Sequence, residues 1–346
     1  MKHLTRTIAI GAAITLFGAA CSSAPDTPES IVLLTHDSFA LSEGTLDTFT
    51  EQTGVAVEVH STGDAGSMVT QAILTKDNPI ADVMFGVDNT FLSRALSNDL
   101  FLEHEAAAIG TVSDLIRVPG DLATPIDFGD VCINYDIEAL TAADTSPPQT
   151  LEDLLSPTYR DLLVVQDPAT SSPGLAFLMA TIAAYPDGAT YDWKAYWTDL
   201  FANGVAVASD WSEAYYAEFT RAGGSRPLVV SDASSPPAEV FFGELDEVPT
   251  GVMTEGCFRQ VEFAGVLSGT AYPETAGLLV DFLLSVDVQE DIPLNMFVYP
   301  TNSEAELPEV FEEYTILPDA PVVMEPNTIE QNRERWIAEW TTIARS

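Results

Sequence analysis

The run Ile31-Val32-Leu33-Leu34-Thr35 constrains the fold more than any other stretch. A strand of that length with no polar interruption before Thr35 is buried on both faces, and such strands belong to parallel sheets covered by helices. Leu46 to Thr53 follows with helical spacing and stops at Gly54, and Val55 to His60 is strand-like again. Strand, helix and strand make a βαβ unit, which places ligands in the crevice outside the C-terminal strand ends. One such end carries His36-Asp37-Ser38. The other carries Ser61-Thr62-Gly63-Asp64-Ala65-Gly66-Ser67, directly ahead of the helical Met68 to Leu74. This glycine-rich segment reads either as a turn or as backbone N–H groups offered to an oxyanion.

The same grammar recurs down the chain. Ala81 to Gly86 is a third strand, Asp88-Asn89 caps a helix from Thr90 to Leu96, and Pro125 to Tyr135 is a long strand with polar interruptions. Leu162 to Val165 is another buried strand. It runs into a loop where Thr170, Ser171, Ser172 and Pro173 precede the apolar helix Leu175 to Tyr185, an arrangement suited to capping or to anion capture. Gly204 to Val207 then feeds Asp210-Trp211-Ser212-Glu213-Ala214-Tyr215-Tyr216. Asp210 and Glu213 have capping-box spacing, so a helix is expected to begin there with Trp211 and Tyr215 on one face. Two rings beside a helix start fit either an ordinary core or a wall for a flat heteroaromatic ligand carrying phosphate. Pro227 to Val230 is a further strand, Cys257 to Ala264 alternates like one that carries the chain back, and Thr328 to Ile343 is a terminal helix.

The expected fold class is therefore α/β with two lobes and two crossing hinge strands. Residues 31–126 form the first part of lobe 1, residues 127–257 form lobe 2, and residues 258–346 return to lobe 1 and end in the C-terminal helix.

Ahead of the first strand, Lys2 and Arg6 precede the apolar run Ile8 to Ala20, too short to span a bilayer and fitting a signal peptide over residues 1–20. Gly18-Ala19-Ala20-Cys21 resembles a bacterial lipoprotein processing site, with residues 21–30 as the tether. Lipid on Cys21 would hold an exported protein at the outer face of the membrane. The 13 Lys and Arg stand against 53 Asp and Glu, a formal charge of −40, and losing Lys2 and Arg6 with the leader leaves 11 against 53, or −42. Such a field excludes nucleic acid as a partner. Once Cys21 is spent, Cys132 and Cys257 remain in an exported chain and are expected to pair, one on each crossing strand.

Signatures of nucleotide hydrolysis, dinucleotide binding, zincin chemistry and the α/β-hydrolase elbow are absent from the sequence, and His36, His60 and His104 lack metal-ligand spacing. No cofactor is expected.

Taken in order, THDSF at 35–39, GDAGS at 63–67, ADVMFGVDN at 81–89, PIDFGD at 125–130, QDPATSSPGLA at 166–176, DWSEAYY at 210–216, SSPPAEV at 234–240, CFRQVEFAG at 257–265 and VYP at 298–300 resemble the thiamine-binding component of bacterial ABC uptake systems, a branch of the type II periplasmic binding proteins. The resemblance implies a non-enzymatic, monomeric binding protein whose cleft shuts on thiamine or its mono- or diphosphate and delivers it to a membrane permease. It assigns an aromatic sandwich to Trp211 and Tyr215, a first loop to His36, Asp37 and Ser38, an Asp-x-x-Ser loop to Asp64 and Ser67, and phosphate-facing hydroxyls to Thr170, Ser171 and Ser172. An arginine common before those hydroxyls is Ala169 here. A tryptophan near the last Tyr-Pro becomes Phe297, and an aromatic after the Val230 strand becomes Asp232, whose carboxylate suits a cationic thiazolium. The alternatives are a ferric-iron or other small-cation binder on the same scaffold, or a thiaminase-like enzyme using Cys132.

Overall fold

The computed structural model describes residues 27–346; the expected signal peptide and Cys21 lie outside the described residues. Strand β1 (Ser30–Thr35) buries Ile31, Leu33 and Leu34 as its apolar run predicts. It crosses through α1 (Thr45–Thr53), closed by Gly54 in the left-handed conformation, to the parallel strand β2 (Ala56–Ser61). Helix α2 (Ala65–Thr75) starts earlier than its apolar spacing implies because Asp64 caps it, accepting from the Ala65 N–H at 2.7 Å. It leads to β3 (Val83–Asp88), parallel to β1, and the short α3 (Leu92–Ser97). The long strand β4 (Thr124–Asp136) ends in α4 (Ile137–Ala142), capped by Asp136.

A second set follows: β5 (Leu163–Gln166), α5 (Ser172–Ala184), α6 (Trp193–Ala202) and β6 (Ala206–Ala208). One turn, α7 (Trp211–Glu213), runs straight into a π-turn over Ala214–Glu218 and precedes β7 (Leu228–Asp232) and α8 (Ser235–Gly243). The 17-residue β8 (Thr250–Val266) then returns the chain to the first set, followed by α9 (Pro273–Leu283), α10 (Val286–Met296), β9 (Tyr299–Pro300), α11 (Glu309–Tyr314) and α12 (Pro326–Ala344).

The nine strands of the described residues lie in one mixed sheet ordered β2-β1-β3-β8-β4-β7-β5-β6, with β9 on β4. Parallel strands occupy both ends. The antiparallel pair β4 and β8 runs between them: Thr124 to Phe128 lie against Val261 to Ala264 beside β3, while Val131 to Tyr135 lie against β7. These are the two crossing strands expected from the sequence. Cys132 and Cys257 are disulfide-bonded across them, with Cα atoms 4.3 Å apart.

One buried cluster joins Met68, Met84 and Phe91 of the first half to α5, Leu163 and Trp197 of the second. Helix α12 closes it from outside and touches both halves. Its Trp340 meets Trp197 edge to face at 5.4 Å, and its Arg333 guanidinium lies 5.7 Å from the Phe91 ring centre. Among the described residues no helix is long and apolar enough to cross a membrane.

Candidate functional site

A cavity of about 240 Å³ opens where the ends of β1 and β7 meet the crossing strands. The loop after β1 brings His36, Asp37 and Ser38 to it, Asp64 arrives from the start of α2, and Asp232 ends β7. Ser172 and Pro173 stand at the first turn of α5, Gln260 and Glu262 project from β8, and Phe297 comes from the left-handed turn between α10 and β9. The two halves touch across this cavity. Asp64 Oδ2 accepts the Trp211 N–H at 3.3 Å, the Gly66 N–H donates to the Thr170 carbonyl at 3.0 Å, and the Ser38 and Ser212 hydroxyls lie 3.5 Å apart. Gly66 permits that approach: a Cβ there would stand 2.8 Å from both the Thr170 oxygen and the Phe91 ring.

Asp210 caps the short helical turn as its spacing predicts, accepting from the Glu213 N–H at 2.8 Å, while the Glu213 carboxylate accepts from the N–H of Ser209, one residue before the cap. Tyr216 meets the Trp211 indole edge-on at 5.2 Å, and three further groups hold it. Tyr215 stacks on one face at 4.8 Å and 16°, Ser231 Oγ accepts its Nε1–H at 2.9 Å, and Phe297 meets it edge-on at 6.4 Å. Tyr215 is buried behind Trp211 with its hydroxyl on Glu239, so it supports the indole rather than forming a second wall of the cavity. The half-exposed ring at the mouth is Tyr216. A single α-turn followed by a π-turn places the two tyrosines this way, and it also removes the helix N-terminus expected there as an anion site: Asp64 already takes the Trp211 N–H.

The glycine-rich loop is likewise committed. The Ala65 N–H goes to the Asp64 carboxylate, that of Gly66 to the Thr170 carbonyl and that of Ser67 to the Asp64 carbonyl, so these three are not offered to an oxyanion, and Ser67 lies outside the cavity lining. Of the three hydroxyls of the α5 loop, Thr170 is spent on the Ser209 carbonyl at 2.7 Å and Ser171 is fully buried; Ser172 alone lines the cavity.

Sequence reading missed Glu262, Gln260 and Asp127. Glu262 is paired directly with Asp88 on β3 and with Asp127 on β4, so three carboxyl groups stand in a row across three strands. Like charges directly opposed in a ladder repel. Asp127 is fully buried with neither oxygen hydrogen-bonded, and Asp232 Oδ1 is buried without a partner. Burial, reinforced by Glu262 and Asp232, pushes the Asp127 carboxyl well above the usual carboxylate range; burial and Glu262 push Asp232 up to about 7. Asp88 is likewise raised to about 7, by burial and in spite of two bonds from the Thr90 hydroxyl. Burial also raises Asp64, and burial together with Asp210 raises Asp37.

Burial lowers the His36 imidazole, but Glu262 lies 3.4 Å from its Nε2 and, with Asp64 and Asp37, leaves the net shift upward. The His36 ring is seated against Gly86, where a Cβ would come within 2.1 Å of it. Among the described residues no Lys or Arg lines the cavity. The nearby Arg259 is engaged by both oxygens of Asp130. Among the described residues no group of three or more His, Cys, Asp or Glu is arranged to hold a metal ion. Chemically, the cleft offers an indole face and a group of carboxyls with the His36 imidazole beside them, features suited to a flat cation.

Residues 78–318 match the family described as bacterial extracellular solute-binding protein. The chain is 30% identical over 318 residues to the thiamine-binding periplasmic protein of Escherichia coli (strain K12), covering 90% of this chain and 92% of that one. Among solved structures, a periplasmic thiamin binding protein superposes with a TM-score of 0.81 at 27% identity, covering 91% of this chain and 96% of that one. Iron-bound HitA from Pseudomonas aeruginosa shares the fold, with a TM-score of 0.73 at 18% identity over 91% of this chain and 99% of that one. The sheet order, the crossing strands with a cleft between them, and these matches together place the chain in the bacterial extracellular solute-binding protein family, as a periplasmic binding protein.

Proposed function

We propose that the cleft captures thiamine, without transforming it, for delivery to the permease of an ABC importer. The observation that carries this reading is the pairing of an indole that lines the cleft, Trp211, with carboxyl groups that have no Lys or Arg partner among the described residues, Asp232 and the Glu262 row, with only the His36 imidazole beside Glu262. The aminopyrimidine stacks on Trp211, and the thiazolium supplies the missing positive charge. Each such contact contributes roughly 1–3 kcal/mol in a desolvated cleft. Relatives named for thiamine binding point the same way.

The cavity is built for the unphosphorylated vitamin. Ala169 stands where the resemblance expects an arginine, the Thr170 hydroxyl donates to the Ser209 carbonyl, Ser171 is fully buried outside the cavity lining, and acidic side chains line the cavity with Ser172. A phosphate there would meet carboxylates before it met donors. The disulfide leaves Cys132 no thiolate, in keeping with a binder rather than a thiaminase-like enzyme. Cys21 carries a lipid in this reading, and the protein works as a monomer tethered to the outer face of the membrane.

Isothermal titration of the purified protein with thiamine, thiamine monophosphate and thiamine diphosphate, followed also by tryptophan fluorescence, tests the ligand. Saturable micromolar or tighter binding of thiamine, weakening with each phosphate, is expected. No saturable signal with thiamine overturns the assignment, and tighter binding of the diphosphate overturns the preference. Loss of membrane attachment in Cys21→Ser tests the anchor.

A further inference from the structure

We infer that Asp88 and Asp127, aligned with Glu262 across three strands, together with Asp232, hold protons that an arriving cation displaces, so that solute capture releases protons to the solvent. This rests on the reading of the cleft as a cation site. The register carries it: Asp88 is paired with Glu262 and Glu262 with Asp127, which forces three carboxyl groups onto one face of the sheet. Asp127 is fully buried with both oxygens unpartnered, an arrangement a bare carboxylate tolerates only at a high cost in desolvation. A carboxyl that keeps its proton escapes that cost.

The surroundings offer little else to neutralise the row. From the loop after β1, His36 faces Glu262 at 3.4 Å and Asp37 adds a further acid; α2 contributes Asp64 and β7 contributes Asp232. From β4, Asp130 is already matched by Arg259 on β8. Arg333 of α12 approaches Asp88 from behind, but it is paired with Glu334 and directed at the Thr90 carbonyl. The first turn of α5 and the turn after α10 bring only Ser172, Pro173, Asn295, Met296, Phe297 and Val298 to the cavity, none of them charged. The raised pKa values of Asp88, Asp127 and Asp232 agree with protons being held near neutral pH.

When a cation enters, its field favours the ionised form, and each displaced proton passes from a carboxyl O–H to buffer base; no other bond changes. Affinity is therefore highest above neutrality and falls as the row is protonated.

Infrared spectroscopy of the ligand-free protein between pH 6 and 8 reads the protons directly, as the C=O stretch of un-ionised carboxyl groups. The band is expected at pH 7, smaller in Asp127→Asn, and diminished on adding thiamine. Calorimetry in two buffers of different ionisation enthalpy should give release of roughly one proton per thiamine at pH 7, and affinity falling by up to about tenfold per pH unit below that. In Asp127→Asn both the proton release and the pH slope should shrink. Absence of the band in the wild-type protein overturns the proposal without recourse to any variant, and so does thiamine binding with equal heats in both buffers. Failure of thiamine to bind while the band persists refutes the thiamine reading and, with it, displacement by that cation.

Discussion

Replacing Trp211 with alanine removes the indole that the cleft presents ready-oriented. Its orientation is fixed by the Tyr215 stack at 4.8 Å, the Ser231 hydroxyl at 2.9 Å and the Asp64 carboxylate on its backbone N–H. A ligand ring on the free face thus meets a group that has little rotamer freedom left to lose. Stacking of a heteroaromatic ring on such a platform is worth about 1–3 kcal/mol, so Kd should rise roughly 5- to 150-fold. Damage to the fold should be limited, because Ser231 keeps a partner in Ser235 at 3.0 Å. The contrasting variant is Tyr215→Phe. It keeps the stacked ring but deletes the hydroxyl bound to Glu239, which retains Thr250. It should cost about 1–2 kcal/mol of stability and change affinity by less than about threefold. Titration calorimetry gives Kd for both, and thermal unfolding gives stability. Unchanged affinity in Trp211→Ala would remove the indole from the site. A larger affinity loss in Tyr215→Phe than in Trp211→Ala would show that the two rings have exchanged roles.

Other consequences concern pH, closure and the hinge. Asp88 and Asp232 have folded pKa values of about 7 against 3.8 for the free side chain, and Asp127 and His36 are also raised. All four bind protons more tightly in the folded state, so their contribution is in place at low pH and is lost as pH climbs through the raised values. At fixed high salt, which screens the general surface charge, the ligand-free protein should melt at a higher temperature at pH 5.5 than at pH 8. Asp127→Asn should flatten that dependence; an equal slope in the variant would locate the effect elsewhere. Gly66→Ala sets a Cβ 2.8 Å from the Thr170 carbonyl, and should weaken ligand binding by about 1–3 kcal/mol with a more open envelope in small-angle scattering; wild-type affinity would mean the contact is not needed for capture. The Cys132–Cys257 bond closes a sequence separation of 125, so the double alanine variant should lose about 2–5 kcal/mol in denaturant titrations, and the oxidised, unfolded wild-type chain should show no thiol at these positions.

Much of the fold was legible because its signals are local. The apolar run of β1, Gly54 closing α1 and Asp210 capping the turn at Trp211 each depend on residues a few positions apart. Helix α8 escaped notice because Ser235-Pro236-Pro237 reads as punctuation, although proline is at home in a first helical turn. The first half of β8 escaped because Thr254 and Glu255 break its alternation. The site divides along the same line. Trp211, Asp37, Ser38, Asp64, Ser172, Asp232 and Phe297 stand at strand ends or in turns, where a βαβ chain exposes side chains to a crevice, and they line the cavity. Tyr215 changed role because one α-turn followed by a π-turn turned it behind the indole, a local distortion that ideal helical spacing does not anticipate.

What the sequence alone determined was the alternation of elements, the cap at Asp210, and which strand ends would carry polar groups. Only the tertiary structure decided that Asp88, Glu262 and Asp127 stand side by side. That depends on the register of three strands far apart in the chain, and a shift of one residue in any of them would turn its carboxyl to the opposite face. The charge balance of the cleft, and hence the kind of solute it suits, is a property of that register.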